Sequence, residues 1–119
     1  MSAKPNFELS ADLSGIERRF SAQALQAKQA AFARRVAFDM RDKVPVDTGA
    51  LRDSEPVSSD YENGLIVWNT PYAQDVYNAD RVRTVRNPNA VPHWAEASKA
   101  EKLGDWEAFA AALLGEGML

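Results

Sequence analysis

Between Ser21 and Lys43 the chain has neither glycine nor proline and is rich in alanine. Alanine has the highest helix propensity, and nothing in the stretch breaks a helix. A helix of about 23 residues, about 35 Å long, is therefore predicted. Leu25, Phe32, Val36 and Met40 fall near one face, with Ala33, Ala37 and Val44 beside them. That is the spacing of a core-facing stripe. Phe20 and Phe38 lie off it; they either widen the core face or meet a neighbouring subunit. Pro45 stops the helix, because it has no N–H to donate and pushes Val44 out of helical geometry.

The corner that follows, Val44-Pro45-Val46-Asp47-Thr48-Gly49-Ala50-Leu51-Arg52-Asp53-Ser54, can be read in two ways. Asp47 can bond backbone amides ahead of it, and Gly49 can adopt a positive φ, so Pro45 to Gly49 reads as a stiff bend. The same letters, Asp-Thr-Gly-Ala after apolar residues, also match the loop in which a dimeric aspartic protease presents its carboxylate. There, two carboxylates share one proton, one from each half. That loop belongs after a strand in an all-β domain, whereas here it follows the longest predicted helix. The strand behind it also needs an apolar-apolar-Gly segment. The late candidate, Leu113-Leu114-Gly115, falls at a helix end. A short motif of common residues is weak evidence by itself, and the structural bend is the preferred reading.

Downstream the texture changes. Pro56 to Tyr61 is expected to be a strand, Glu62-Asn63-Gly64 a hairpin turn, and Leu65 to Asn69 a returning strand that is apolar on both faces. One face would pack on the helix. The other needs a cover, either C-terminal helices or another protomer. Thr70 is placed to cap a short helix, Pro71 to Asn78, with Pro71 in its first turn. Asp80 to Val91 reads as a long loop carrying Arg81, Arg83, Arg86 and Asn87-Pro88-Asn89. Loops of this length inside a small domain are commonly functional. A helix from Pro92 to about Lys102, a break at Gly104-Asp105 and a last helix to Leu114 complete the chain. Trp94 and Trp106 would anchor these helices to the core. Near the start, Phe7 to Ser10 alternates like a short strand, and Ser14 with Glu17 forms a capping-box pattern.

Length and composition narrow the function classes. The 119 residues suffice for one domain. Residues 1–11 would form an N-terminal arm and 80–92 an exposed loop. The absence of cysteine excludes disulfides and thiol chemistry, and the single histidine, His93, argues against His-rich metal sites. A triad of His93 with Asp75 or Asp80 and a serine is thinner than a packing or capping role for this residue. No apolar run approaches the ~20 residues that span a bilayer. Met1 to Asn6 lacks the apolar core of a secretory signal, so cytosolic synthesis is expected. The net charge of −3 supplies no overall basic footprint for gripping nucleic acid.

Taken together, the helix, the Val-Pro-Val-Asp-Thr-Gly-Ala-Leu-Arg-Asp-Ser corner, Trp68-Asn69-Thr70-Pro71-Tyr72-Ala73, Asn87-Pro88-Asn89-Ala90, His93-Trp94 and Trp106 form a resemblance. Over roughly residues 12 to 114 the chain is similar to the minor capsid or head–tail connector proteins of long-tailed bacteriophages. It departs from many of them after the Tyr-Ala segment, where Val76 to Asp80 replaces a Glu-x-Gly-Thr type of turn. Tail completion, tail terminator and head-side stopper therefore stay open as its branch.

The resemblance implies a non-enzymatic virion part made in the host bacterial cytoplasm. It would form a homo-oligomeric ring of about six or twelve copies at the neck. Its neighbours would be the adaptor or stopper and the tail tube, and DNA would pass without specific binding. The expected fold is α+β, with a long N-terminal helix on a small antiparallel sheet and short C-terminal helices. Pro45, Asp47, Thr48, Gly49 and Arg52 would be structural, with Arg52 bracing the corner by pairing with a carboxylate. Phe38, Ile66, Trp68, Arg81, Arg83 and Arg86 are the candidate oligomer or partner contacts. No catalytic residue, cofactor or metal is expected.

Overall fold

A computed structural model of the chain describes residues 5–8 and 26–115. The expected helix start at Ser21, Phe20, Leu25, the Ser14–Glu17 capping box and the end of the Phe7–Ser10 strand lie outside the described residues.

Helix α1 spans Gln26–Arg41. Ala30, Phe32, Ala33, Val36, Ala37 and Met40 are buried on it, which is the stripe expected from the spacing. Its alanines let neighbouring segments approach closely, while Phe32, Val36 and Met40 supply apolar area. The helix closes in tight turns, Lys43 N–H to Met40 O at 3.0 Å and Val44 N–H to Arg41 O at 3.3 Å. Pro45 then takes the chain away.

The corner leads into a second helix rather than a strand. Helix α2 spans Ala50–Ser58 and carries Pro56 inside it. This overturns the expected strand over Pro56–Tyr61 and the hairpin built on it. The physical reason is a four-residue period: Leu51 and Glu55 are buried one turn apart. Pro56 sits in the last turn, where its missing N–H removes one bond near an end that would fray anyway.

The Asn63-Gly64 signal does mark a chain reversal. A 3₁₀ turn over Tyr61–Asn63 leads to Gly64 at φ 72°. Asp60 and Leu65 exchange both backbone bonds across it, at 2.8 and 2.9 Å. Strand β2, Leu65–Val67, then pairs antiparallel with β1, Asn6–Glu8, in the register Asn6↔Val67, Phe7↔Ile66, Glu8↔Leu65. Trp68 N–H extends the pairing to Pro5 O at 3.1 Å. Strand structure among the described residues is limited to this ladder and the Asp60–Leu65 bridge. The fold is mixed and mainly helical, and the expected small sheet as a packing layer is not established.

Helix α3, Ala73–Tyr77, is short. The side-chain cap expected of Thr70 is not made. Its hydroxyl is buried without a partner among the described residues, and its carbonyl accepts Ala73 N–H at 3.1 Å. The expected pair of C-terminal helices is one continuous helix, α4, Trp94–Leu114. Gly104 does not break it, because burial on both sides holds both halves. Trp94, Ala95 and Ser98 are buried before it, and Trp106, Ala110 and Leu114 after it. A glycine costs about 1 kcal/mol in a helix interior, less than anchoring a tryptophan contributes.

The core lies between α1, α4 and β2. Trp68, Trp94, Trp106, Phe32, Met40, Ile66, Val36 and Val44 are all fully buried there. Trp68 and Trp94 meet edge to face at 5.5 Å. Trp106 donates from Nε1 to Asp39 Oδ2 at 2.8 Å, tying α4 to α1. Among the described residues, no helix is long and apolar enough to cross a membrane.

Candidate assembly surface

The corner is held chiefly by Thr48 and Gly49. Thr48 Oγ1 accepts Ala50 N–H at 3.2 Å, closing the turn from the side-chain end. Gly49 is buried at φ 94°, and its carbonyl accepts the first helical bond of α2, from Asp53 N–H at 2.9 Å. Asp47 is exposed and makes no hydrogen bond or ion pair among the described residues. The amide bonds expected of Asp47 are thus made by its neighbour, Thr48. Arg52 Nε donates to Asp53 Oδ1 at 3.1 Å, and Arg41 reaches the same oxygen at 3.4 Å. Arg52 thus pairs with the carboxylate next to it in sequence, and the Arg41–Asp53 pair links α2 back to the end of α1.

The loop after α3 is fastened at both ends. His93 N–H bonds Tyr77 O at 2.9 Å, and Val91 N–H bonds Lys43 O at 3.1 Å. Asn87 donates from Nδ2 to Asp42 O and Val44 O, both at 2.8 Å. These carbonyls lie just past Arg41, the last residue of α1, so the Asn87 amide fastens the loop to the turn by which the chain leaves that helix. Asn89 Nδ2 adds contacts to the Asp42 carboxylate at 3.3 and 3.4 Å. Between these fastenings, Arg81, Arg83 and Arg86 are exposed and have no hydrogen-bond or ion-pair partner among the described residues.

The two regions singled out in the sequence are neighbours in space. Pro45 to Leu51, the Tyr72–Ala79 segment and Arg81 to Arg83 line one groove of about 420 Å³. Asp47 and Asp75 stand in it with Arg81 and Arg83. Phe38, 70 % exposed, lies on the other side of the loop. Ile66 and Trp68 require a correction. Both are buried in the chain's own core, at 0 % and 1 % exposure, so neither is accessible to a partner. The two apolar faces of the Leu65–Trp68 segment are covered within one molecule.

His93 sits at the start of α4 in left-handed geometry, φ 51°. Its ring packs edge-on against Tyr77 at 5.2 Å, and Nε2 lies 3.1 Å from Asn78 Oδ1. Its polar partner is thus Asn78, rather than Asp75 or Asp80. Tyr77 also donates to the Glu96 carboxylate. Burial, then that carboxylate, pushes the phenol well above its ordinary range.

A second polar cluster escaped the sequence reading. Glu55, buried at the end of α2, accepts from Ser59 Oγ at 2.7 Å and Tyr61 OH at 2.5 Å. Ser59 Oγ in turn accepts Val67 N–H at 2.9 Å. Burial and Glu55 raise the Tyr61 phenol in the same way. The i, i+4 spacing of Glu55 and Ser59 was the available signal, but it is informative only once the segment is known to be helical. Among the described residues, no group of three or more His, Cys, Asp or Glu side chains is placed to hold a metal ion.

Asp47 thus occupies an exposed bend between two helices, away from any strand. The protease reading requires a carboxylate on a loop after a strand, and that local geometry is missing. The surface that stands out is an arginine loop, without partners among the described residues, fastened beside the helix corner. A family model described as minor capsid protein matches residues 7–113, and the chain belongs to that family of phage structural proteins. No curated protein and no solved structure matches it.

Proposed function

We propose that this minor capsid protein is a ring-forming head–tail connector subunit, placed in the neck and joining the DNA-filled capsid to the tail. It acts as a homo-oligomer beside the adaptor or stopper and the tail tube. The observation that carries this reading is the arginine loop. Its ends are fastened to α1 and α3, yet its three guanidinium groups have no partner among the described residues. Arginine forms directional bonds to carboxylates, so a neighbouring acidic surface is the natural complement. Pro45, Thr48 and Gly49 set the angle between α1 and α2, and Arg52 stiffens it through Asp53. The net charge of −3 suits a protein beside which DNA moves without sticking, since phosphate binding comes from lysine and arginine in excess.

The test is reversal of the loop's charge in infected cells. With Arg81, Arg83 and Arg86 all changed to Glu, filled heads and free tails should accumulate unjoined in electron micrographs. The purified variant should keep its helical circular dichroism spectrum. Joined, infectious particles from this variant, or a density map placing the chain away from the neck, would refute the proposal.

A further inference from the structure

We propose that two surfaces at opposite ends of the α1–α2 pair form a head-to-tail contact between copies of this chain. The inference rests on the ring reading above and supplies its interface. The receiving surface is a groove of about 570 Å³ beside the last turn of α1, bordered by Phe38, Arg41, Arg52, Arg86 and Lys102. Its two carboxylates are already engaged: Asp39 accepts from Trp106 and Arg35, and Asp42 from Asn89. Arg86 and Lys102 have no partner among the described residues, while Arg41 and Arg52 share the exposed Asp53. The groove therefore carries more cations than carboxylates, beside an exposed aromatic ring.

The inserting surface follows the other end of α2. Asp60 and Glu62 are exposed on the turn, and Val57 beside them is 86 % exposed. Glu62 has no side-chain partner among the described residues, and the Asp60 carboxylate accepts there only from Asn63 Nδ2 within the turn, at 2.7 Å. Arg52 on the groove and Val57 on the inserting surface are five residues apart on α2, about 8 Å along its axis. The Arg41–Asp53 pair marks the groove end, and Arg34 over the Tyr61 ring, 5.4 Å from its centroid, marks the turn end. The two surfaces thus cannot meet within one molecule. Pairing them across copies gives a heterologous contact, which closes into a ring when the rotation allows. Val57 against Phe38 supplies apolar area, and the opposite charges set the register. Duplex DNA fits the groove less well, because the exposed Phe38 ring on its rim has no complement on a phosphate backbone.

The test measures self-association of the full chain by sedimentation velocity across salt concentrations. Wild type should associate at low salt and weaken as salt screens the contact. Glu62→Arg, and separately Arg86→Glu with Lys102→Glu, should each weaken association on the order of ten-fold or more. Mixing the two variants, or combining all three changes in one chain, should restore it. Misfolding cannot mimic that rescue. Variants that associate like wild type would overturn the interface while leaving a ring intact. A wild-type chain that stays monomeric at every concentration would overturn both the interface and the ring. Duplex DNA binding near physiological salt that vanishes with Arg86→Glu and Lys102→Glu would assign the groove to nucleic acid and overturn the proposal.

Discussion

Two glycines show how much a residue's role depends on its backbone. Gly49 is buried at φ 94°, and a Cβ built there would lie 3.3 Å from an Arg52 nitrogen. That side chain can move aside, but the left-handed backbone cannot. Gly49→Ala should therefore cost about 1–2 kcal/mol, the penalty of left-handed geometry for an L residue. Gly104 lies inside α4, and a Cβ there would meet nothing within 4 Å. Gly104→Ala should raise stability by about 1 kcal/mol through propensity alone. Urea midpoints of the two variants should move in opposite directions; movement in the same direction would contradict the backbone argument. Asp47 provides a third residue-scale case. It is exposed and makes no bond among the described residues, so Asp47→Asn should leave the urea midpoint unchanged. Loss of a proteolytic activity with this change would restore the enzyme reading.

At the level of elements, the junction between α1 and the loop is the informative one. Asn87 donates from its side-chain amide to two carbonyls in the turn that follows α1. Asn87→Ala should cost about 1–3 kcal/mol, because acceptors near the core lose their donor. Hydrogen exchange should quicken at Val91, whose N–H returns to Lys43. Unchanged exchange there would mean that the loop is held by something other than this amide. This clamp also shows what was legible in the sequence. The α1 stripe, the stop at Pro45 and the tryptophan anchors could be read because periodicity and proline act locally. Asn87-Pro88-Asn89 could be read only as a loop, since its partners lie across the fold. The α2 helix was hidden because Pro56 and the Asn63-Gly64 turn both pointed to a hairpin, while only Leu51 and Glu55 opposed them. The Gly104 break failed for the converse reason. A local signal worth about 1 kcal/mol lost to tertiary burial on both sides.

At the scale of the whole molecule, the two perturbed tyrosines couple both ends of the fold to pH. Tyr61 joins the 3₁₀ turn to α2 through Glu55, and Tyr77 joins α3 to α4 through Glu96. Each phenol is raised from an ordinary value of 10.0, so each holds its proton in the folded chain after the unfolded chain has released it. Their stabilising contribution is complete below about pH 10 and is lost as pH climbs from there toward the folded values. Ionisation would also set a phenolate against Glu55 or Glu96. The molecule should therefore unfold in alkali by a route that the carboxylates sharpen. Tyr77→Phe isolates this effect, because it keeps the edge-on packing against Trp94 at 4.6 Å and removes only the hydroxyl. Near neutral pH its cost should be about 0.5–1.5 kcal/mol, since Glu96 is exposed and turns to water. Above pH 10 its stability should fall less steeply than that of wild type. Urea midpoints measured across pH 8 to 12 would show the two curves converging as the pH rises, and parallel curves would remove Tyr77 from the alkaline response.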